Sequence, residues 1–191
     1  MTNIAIFASG AGSNAQKIIE RFKDHPSIRV RLVFSNKAEA GVLAIADEYK
    51  ISTLVMSNTF FKNTEIALWE MEKYEIDYII LAGFLLLVPE YIIRHYHNKI
   101  INIHPALLPK YGGKGMYGMR VHEAVRAKGE TETGITIHYA NAHYDEGSII
   151  FQAKCQLSPS DSAEEIAQKV HALEHIYFPE VIEKVIMNSR I

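Results

Sequence analysis

Residues 99–109 read Lys-Ile-Ile-Asn-Ile-His-Pro-Ala-Leu-Leu-Pro. The β-branched run before Pro105 suits a strand buried on both faces, as a parallel sheet requires, and the two prolines end it in a turn. Alternate residues of a strand share a face, so Asn102 and His104 project together from its carboxyl end. That end is where open α/β sheets hold ligands. A neutral amide beside a titratable imidazole suits chemistry on a carbonyl: the amide holds a developing oxyanion while the imidazole carries charge or a proton.

Working outward, apolar runs at 3–8, 28–35, 52–56, 77–82 and 99–104 alternate with helical-period segments at 14–23, 42–49, 64–74 and 89–96. Pro89 suits a first helical turn. This alternation predicts βαβ units with right-handed crossovers and a mostly parallel sheet. The last third differs. A helix at 121–128 precedes strands at 133–140 and 148–157, joined by the polar loop 141–147, which predicts an antiparallel extension. Ser160 or Asp161 is expected to cap a terminal helix with Glu164 and Glu165 in its first turn, an apolar face of Ile166, Val170, Leu173, Ile176 and Tyr177, and a bend or break at Pro179. Segment 110–119 carries four glycines and is expected to be a flexible loop beside the site. The fold class is a single-domain α/β protein, Rossmann-like, with an open, mostly parallel sheet flanked by helices and an antiparallel C-terminal extension.

Composition narrows the function. A chain of 191 residues fits one domain. With 20 Lys+Arg against 22 Asp+Glu, the net charge of −2 offers no field for wrapping nucleic acid or coating a membrane. No apolar run approaches the roughly 20 residues of a membrane span, and the start lacks a charged leader, so a cytoplasmic protein is expected. The single cysteine, Cys155, is expected to be a buried structural thiol.

Ser9-Gly-Ala-Gly-Ser-Asn14 joins the first strand to a helix. Backbone N–H groups at such a turn attract phosphate; an ordinary tight turn is the alternative. It is not the dinucleotide fingerprint, since Ala15 stands where the third glycine would fall, nor a P-loop, since the lysine is missing. Asp145 is either a solvated turn carboxylate or, if it faces His104, a charge that raises the imidazole pKa. His138 is as readily a hydrogen-bonded core residue as a site residue. His171, Glu174 and His175 share one side of the terminal helix; contact with a hydroxyl-bearing ligand is expected rather than a metal. His122 is read as packing near a helix start, and His25, His95 and His97 as surface residues. Residues 81–89 are core or the wall of a pocket for a flat aromatic ligand, with Gly83 admitting close approach.

Taken in order, Ser9-Gly-x-Gly-Ser-Asn14, Leu81-Ala-Gly-Phe84, Asn102-Ile-His-Pro-x-Leu-Leu-Pro-Lys-Tyr111, Gly134-x-Thr-x-His138, Asp145 and Glu174-His175 make the chain similar to the phosphoribosylglycinamide formyltransferase family, folate-dependent enzymes of purine synthesis. The resemblance implies one formyltransferase domain over 1–191, with a phosphate-binding half at about 1–100 and a folate and catalytic part at about 81–191. It implies Asn102, His104 and Asp145 as the catalytic trio, with His138 in support. Gly12, Ser13 and Asn14 would take the substrate phosphate, and Glu174 and His171 would lie at its ribose. Leu85, Leu86, Leu87, Val88 and Asn102 would flank the folate. The substrates implied are 10-formyltetrahydrofolate and phosphoribosylglycinamide, with no metal, in a monomer or homodimer.

Many relatives carry Met-Arg-Ile-Leu where this chain has Leu85-Leu86-Leu87-Val88, so a charge near the folate tail is missing and Lys62 is the expected replacement. Formyltetrahydrofolate hydrolases and methionyl-tRNA formyltransferases share the Asn-x-His and Asp core; their extra domains are not expected here. A non-catalytic module for a phosphorylated metabolite would need only the Gly12 turn.

Overall fold

The computed structural model describes residues 1–63 and 65–189. Five strands run parallel: β1 (Thr2–Phe7), β2 (Ile28–Ser35), β3 (Ser52–Val55), β4 (Tyr78–Leu81) and β5 (Ile100–His104). Two more, β6 (Glu132–Tyr139) and β7 (Ile149–Gln156), pair antiparallel, so the seven-stranded order is β3-β2-β1-β4-β5-β6-β7. The expected mostly parallel sheet with an antiparallel extension is therefore what forms.

Strand alternation sorts the core into two layers. Ile4, Ile6, Ile80, Ile101 and Ile103 face one side, where they pack with α1 (Ser13–Phe22), α2 (Gly41–Glu48), α6 (Met119–Ala127) and α7 (Ala163–Asn188). Ala5, Phe7, Leu32, Ile79 and Ile100 face the other, against α3 (Asn58–Asn63), α4 (Ile66–Lys73) and α5 (Glu90–His95). In that second layer Phe7, Phe34, Phe61 and Phe84 pack as tilted and edge-on rings, with Phe7 and Phe34 centroids 4.5 Å apart.

Several boundaries differ from the sequence reading. The helix expected at 64–74 is α4, starting at Ile66, and α3, which carries the buried Phe61, was not anticipated; Thr64 lies outside the described residues. Ser162, not Ser160 or Asp161, caps α7: its hydroxyl accepts from the Glu165 N–H and its own N–H donates to the Glu165 carboxylate, a capping box. Asp161 instead accepts from the Ser158 N–H and pairs with Lys169. Pro179 sits inside an α7 that continues to Asn188 without interruption. Ile176 of the expected apolar face is exposed. Cys155 is half-buried rather than buried, because β7 is an edge strand. His25 is no bare surface residue, since its Nδ1 accepts from the N–H groups of Ser27 and Ile28. No described helix is long and apolar enough to cross a membrane.

Candidate active site

In this strand order β1 pairs with β2 on one side and β4 on the other, so the chain switches direction across the sheet between β1 and β4. The segments leaving the carboxyl ends of β1, β4 and β5 part there, as expected for an open α/β sheet. A cleft of about 690 Å³ opens at this point, and its walls include Gly10–Asn14, Gly83–Leu85, Asn102–Pro105, Gly113–Arg120, Tyr144 and Asp145.

At one end β5 delivers Asn102 and His104. Both meet Asp145, which arrives on the β6–β7 loop in a left-handed conformation (φ 58°). The Asn102 amide Nδ2 lies 3.5 Å from Asp145 Oδ1, and His104 Nδ1 lies 3.5 Å from Asp145 Oδ2. Those separations are long for a hydrogen bond, so the second Asn102 N–H and the Nδ1 edge of His104 stay available to a group in the cleft. The remaining contacts are tight. Asn102 Nδ2–H donates to His138 Nε2 at 2.9 Å, which fixes the His138 proton on Nδ1, where it donates to the Tyr139 carbonyl at 2.9 Å. His138 thus meets both readings given to it: it is 1% exposed, fully hydrogen-bonded, and part of this constellation. His104 Nε2 donates to the Tyr111 carbonyl at 2.7 Å, and the Gly113 N–H donates to Asp145 Oδ2 at 2.9 Å.

Burial pushes the His104 pKa down and outweighs the upward pull of Asp145 and the Tyr111 carbonyl. The expectation that Asp145 leaves His104 with a raised pKa is therefore corrected. The carboxylate pulls in the expected direction, but a ring only 3% exposed loses more hydration than the pairing returns. Burial pushes Asp145 up, and His138, His104 and the Gly113 N–H together reverse this, so its carboxyl is held low. The site at rest is a carboxylate beside a neutral imidazole.

At the other end Gly12 caps α1 at φ 88°. A Cβ there would lie 2.8 Å from the Val42 Cα, so both torsion and space demand glycine. Asn14 Nδ2 donates to Glu174 Oε2 at 2.8 Å, and His171 Nδ1 lies 3.3 Å from the same oxygen. Glu174 holds the His171 pKa up. Asn14 Oδ1 is buried with no hydrogen-bond partner among the described residues, and so is His122 Nδ1 on α6. His122, 2% exposed, lines the cleft with His171 and Glu174. Reading it as packing near a helix start missed this; one histidine on a short helix carries no spacing signal. His175, grouped with His171 and Glu174 in the sequence reading, lines a separate groove between α1 and α7.

Of the residues expected at the folate, Leu85 lines the cleft. Leu86, Leu87 and Val88 do not, and Val88 is core. Lys62 is exposed on α3 and outside the cleft wall. The glycine-rich segment 113–118 does form one wall. Among the described residues there is no group of three or more His, Cys, Asp or Glu side chains that could hold a metal ion.

An open α/β sheet with an amide, an imidazole and a carboxylate gathered at its switch point defines a candidate group-transfer site acting on a carbonyl. Residues 2–182 match the formyl transferase family model, and the chain belongs to that family. It is 33% identical to phosphoribosylglycinamide formyltransferase of Bacillus subtilis, aligning over 100% of this chain and 98% of that protein. It is 38% identical to the chloroplastic phosphoribosylglycinamide formyltransferase of Vigna unguiculata, over 94% of this chain, and spans 59% of that protein's length. Among solved structures, the phosphoribosylglycinamide formyltransferase of Anaplasma phagocytophilum superposes with a TM-score of 0.86 at 33% identity, covering 95% of this chain and 85% of that one.

Proposed function

We propose that this chain transfers the formyl group of 10-formyltetrahydrofolate to the amine of 5-phosphoribosylglycinamide, a step of purine synthesis. The observation that carries this reading is the meeting of Asn102, His104 and Asp145 in a cleft whose far end is a glycine turn at a helix N-terminus. The first constellation suits a carbonyl in reaction, and the second suits a phosphate.

The amine nitrogen attacks the formyl carbon, and the carbonyl π pair moves onto oxygen. That oxygen takes N–H bonds from the Asn102 amide and from His104. His104 enters this step as the imidazolium, having taken a proton from solvent on Nδ1; the developing oxyanion and the Asp145 carboxylate stabilise that N–H, and the proton returns to solvent once the carbonyl has re-formed. Asp145 orders a water that passes the proton from the attacking amine to the folate nitrogen. Collapse re-forms the carbonyl and breaks the carbon–nitrogen bond to the folate.

Gly12, Ser13 and Asn14 hold the substrate phosphate in this reading, while Glu174 and His171 face its ribose. The unpartnered Asn14 oxygen and His122 nitrogen in this region suit a ligand rich in hydroxyl groups. Leu85 and Asn102 flank the folate, and Lys62 is left as a candidate for its tail. His138 supports the trio by holding Asn102. The cytoplasm is the compartment assigned, and cell fractionation checks it.

The test follows absorbance as 10-formyltetrahydrofolate loses its formyl group, with and without phosphoribosylglycinamide. Consumption only with the amine supports the transfer. Consumption without it, releasing formate, replaces it with hydrolysis, and no consumption under either condition overturns it in favour of a binding module.

A further inference from the structure

We propose that Glu130, outside the cleft, positions His104 by tethering Tyr111, and that segment 111–113 is a backbone cradle holding His104 and Asp145 in register. Three consecutive residues carry the cradle. The Tyr111 carbonyl takes the His104 Nε2–H at 2.7 Å, and the Gly113 N–H donates to Asp145 Oδ2 at 2.9 Å. Between them Gly112 passes so close that a Cβ would meet Leu108 Cδ2 at 2.5 Å and Asp145 Cβ at 3.3 Å.

The cradle is anchored from behind. The Tyr111 hydroxyl donates to Glu130 Oε1 at 2.8 Å, and Lys110 Nζ donates to the same oxygen at 3.0 Å. Tyr111 holds a left-handed backbone, φ 58°, which a residue with a Cβ adopts only against a steric cost. Something must hold it there, and the bond from its own side chain to Glu130 does so. Released, the residue relaxes toward negative φ and swings its carbonyl away from His104.

That carbonyl does two things to the ring. As a pure acceptor it fixes the neutral tautomer with the proton on Nε2. It thereby turns Nδ1 toward Asp145 and the cleft, the orientation in which Nδ1 sits 3.5 Å from Asp145 Oδ2. The charged and titratable groups that act on His104 are Asp145 on the β6–β7 loop, His138 on β6, Glu174 on α7 and His122 on α6. None lies on segment 110–113, so removing the tether withdraws the Tyr111 carbonyl and loosens the Gly113 N–H from Asp145, and the bond and the charge so weakened both favour the protonated ring.

The kinetic consequence rests on the formyl-transfer reading; the structural one does not. Histidine-resolved NMR of the unaltered protein, with the His104 resonance assigned by its loss in His104→Asn, is expected to show the Nε2–H tautomer. An Nδ1–H tautomer overturns the proposal. In Tyr111→Phe and Glu130→Gln the His104 titration is expected to move to lower pH by the same amount in each and no further in the double variant. Under the formyl-transfer reading kcat falls about tenfold, the size of one lost hydrogen bond, with KM for both substrates nearly unchanged. Titration curves that superpose on the parent's in both variants overturn the tether even if transfer is observed. A shifted titration in a protein without formyl transfer removes the proposed reaction and leaves the tether standing.

Discussion

The two ends of the cleft are built by opposite strategies. Around Asn102, His104 and Asp145 the side chains are held by backbone groups of Tyr111, Gly113 and Tyr139 and by His138, and the two candidate oxyanion donors stand off the carboxylate at 3.5 Å. Around Gly12 a backbone turn faces the cleft, while Asn14 and His171 share one oxygen of the buried Glu174. Under the formyl-transfer reading, the first end keeps donors in reserve for charge that appears during reaction. On the same reading, the second presents fixed polarity for charge the ligand already carries. Substitutions at the first are therefore expected to act on kcat, and those at the second on KM.

The sharpest way to break that contrast is to remove a reserve donor. Asn102→Ala or His104→Ala is expected to lower kcat by a factor on the order of 10²–10³ with little change in KM for phosphoribosylglycinamide. Steady-state kinetics checks it, and near-normal turnover in either variant would end the oxyanion assignment. Glu174→Ala should do the reverse. KM for the phosphorylated substrate is expected to rise about tenfold to a hundredfold, the range for a hydrogen bond to a charged group, while kcat at saturation stays within a few-fold. A collapse of kcat instead would merge the two ends into one functional unit. Gly12→Ala tests the rigidity of the second end. With φ at 88° and the Val42 Cα in the way, the loss is expected to be about 1–3 kcal/mol in denaturant unfolding, with weaker substrate binding.

The smallest effect is in pH dependence, and here the ends differ in sign. His171 has its pKa raised by Glu174, so its contribution to stability is full below the ordinary value of 6.5 and is lost as pH rises through the higher folded value. The His104 pKa is lowered by burial, so the folded state resists its protonation and stability drops as pH falls through 6.5 toward the folded value. Thermal unfolding between pH 5 and pH 8 is expected to show Glu174→Ala losing the acid-side gain and His104→Asn losing the acid-side penalty. Each change amounts to a few degrees or less, since about 1 kcal/mol moves the midpoint by roughly 2–4 °C in a chain of this size. Parallel curves for all three proteins would contradict the opposed signs.

The strands were legible because buried parallel strands need unbroken β-branched runs, and residues 28–35 predicted β2 to the residue. The six-residue α3 was not, because Asn58-Thr-Phe-Phe-Lys-Asn63 is too short for helical periodicity to register. The α7 cap was only partly readable, since Asp161 and Ser162 each have a glutamate three residues on; Ser162 caps because the Asp161 carboxylate is taken by the Ser158 N–H and Lys169. Spacing placed Asn102 and His104 on one face. Nothing local could reveal that Tyr111 serves His104, because its contribution is a carbonyl, which every residue carries. The depressed His104 pKa was illegible for a related reason: it reflects burial, which only the assembled fold creates.

The bond between Asn14 and Glu174 joins positions 160 residues apart, so the Gly12 end is a clasp between the first helix and the last. Such a contact forms only after nearly all of the chain has been made and ordered. The Asn102 end, by contrast, can gather once β6 and its following loop have paired with β5. The contact between Asn102 and Asp145 spans 43 residues, so the two ends of the cleft differ in how much of the chain must be ordered to close them.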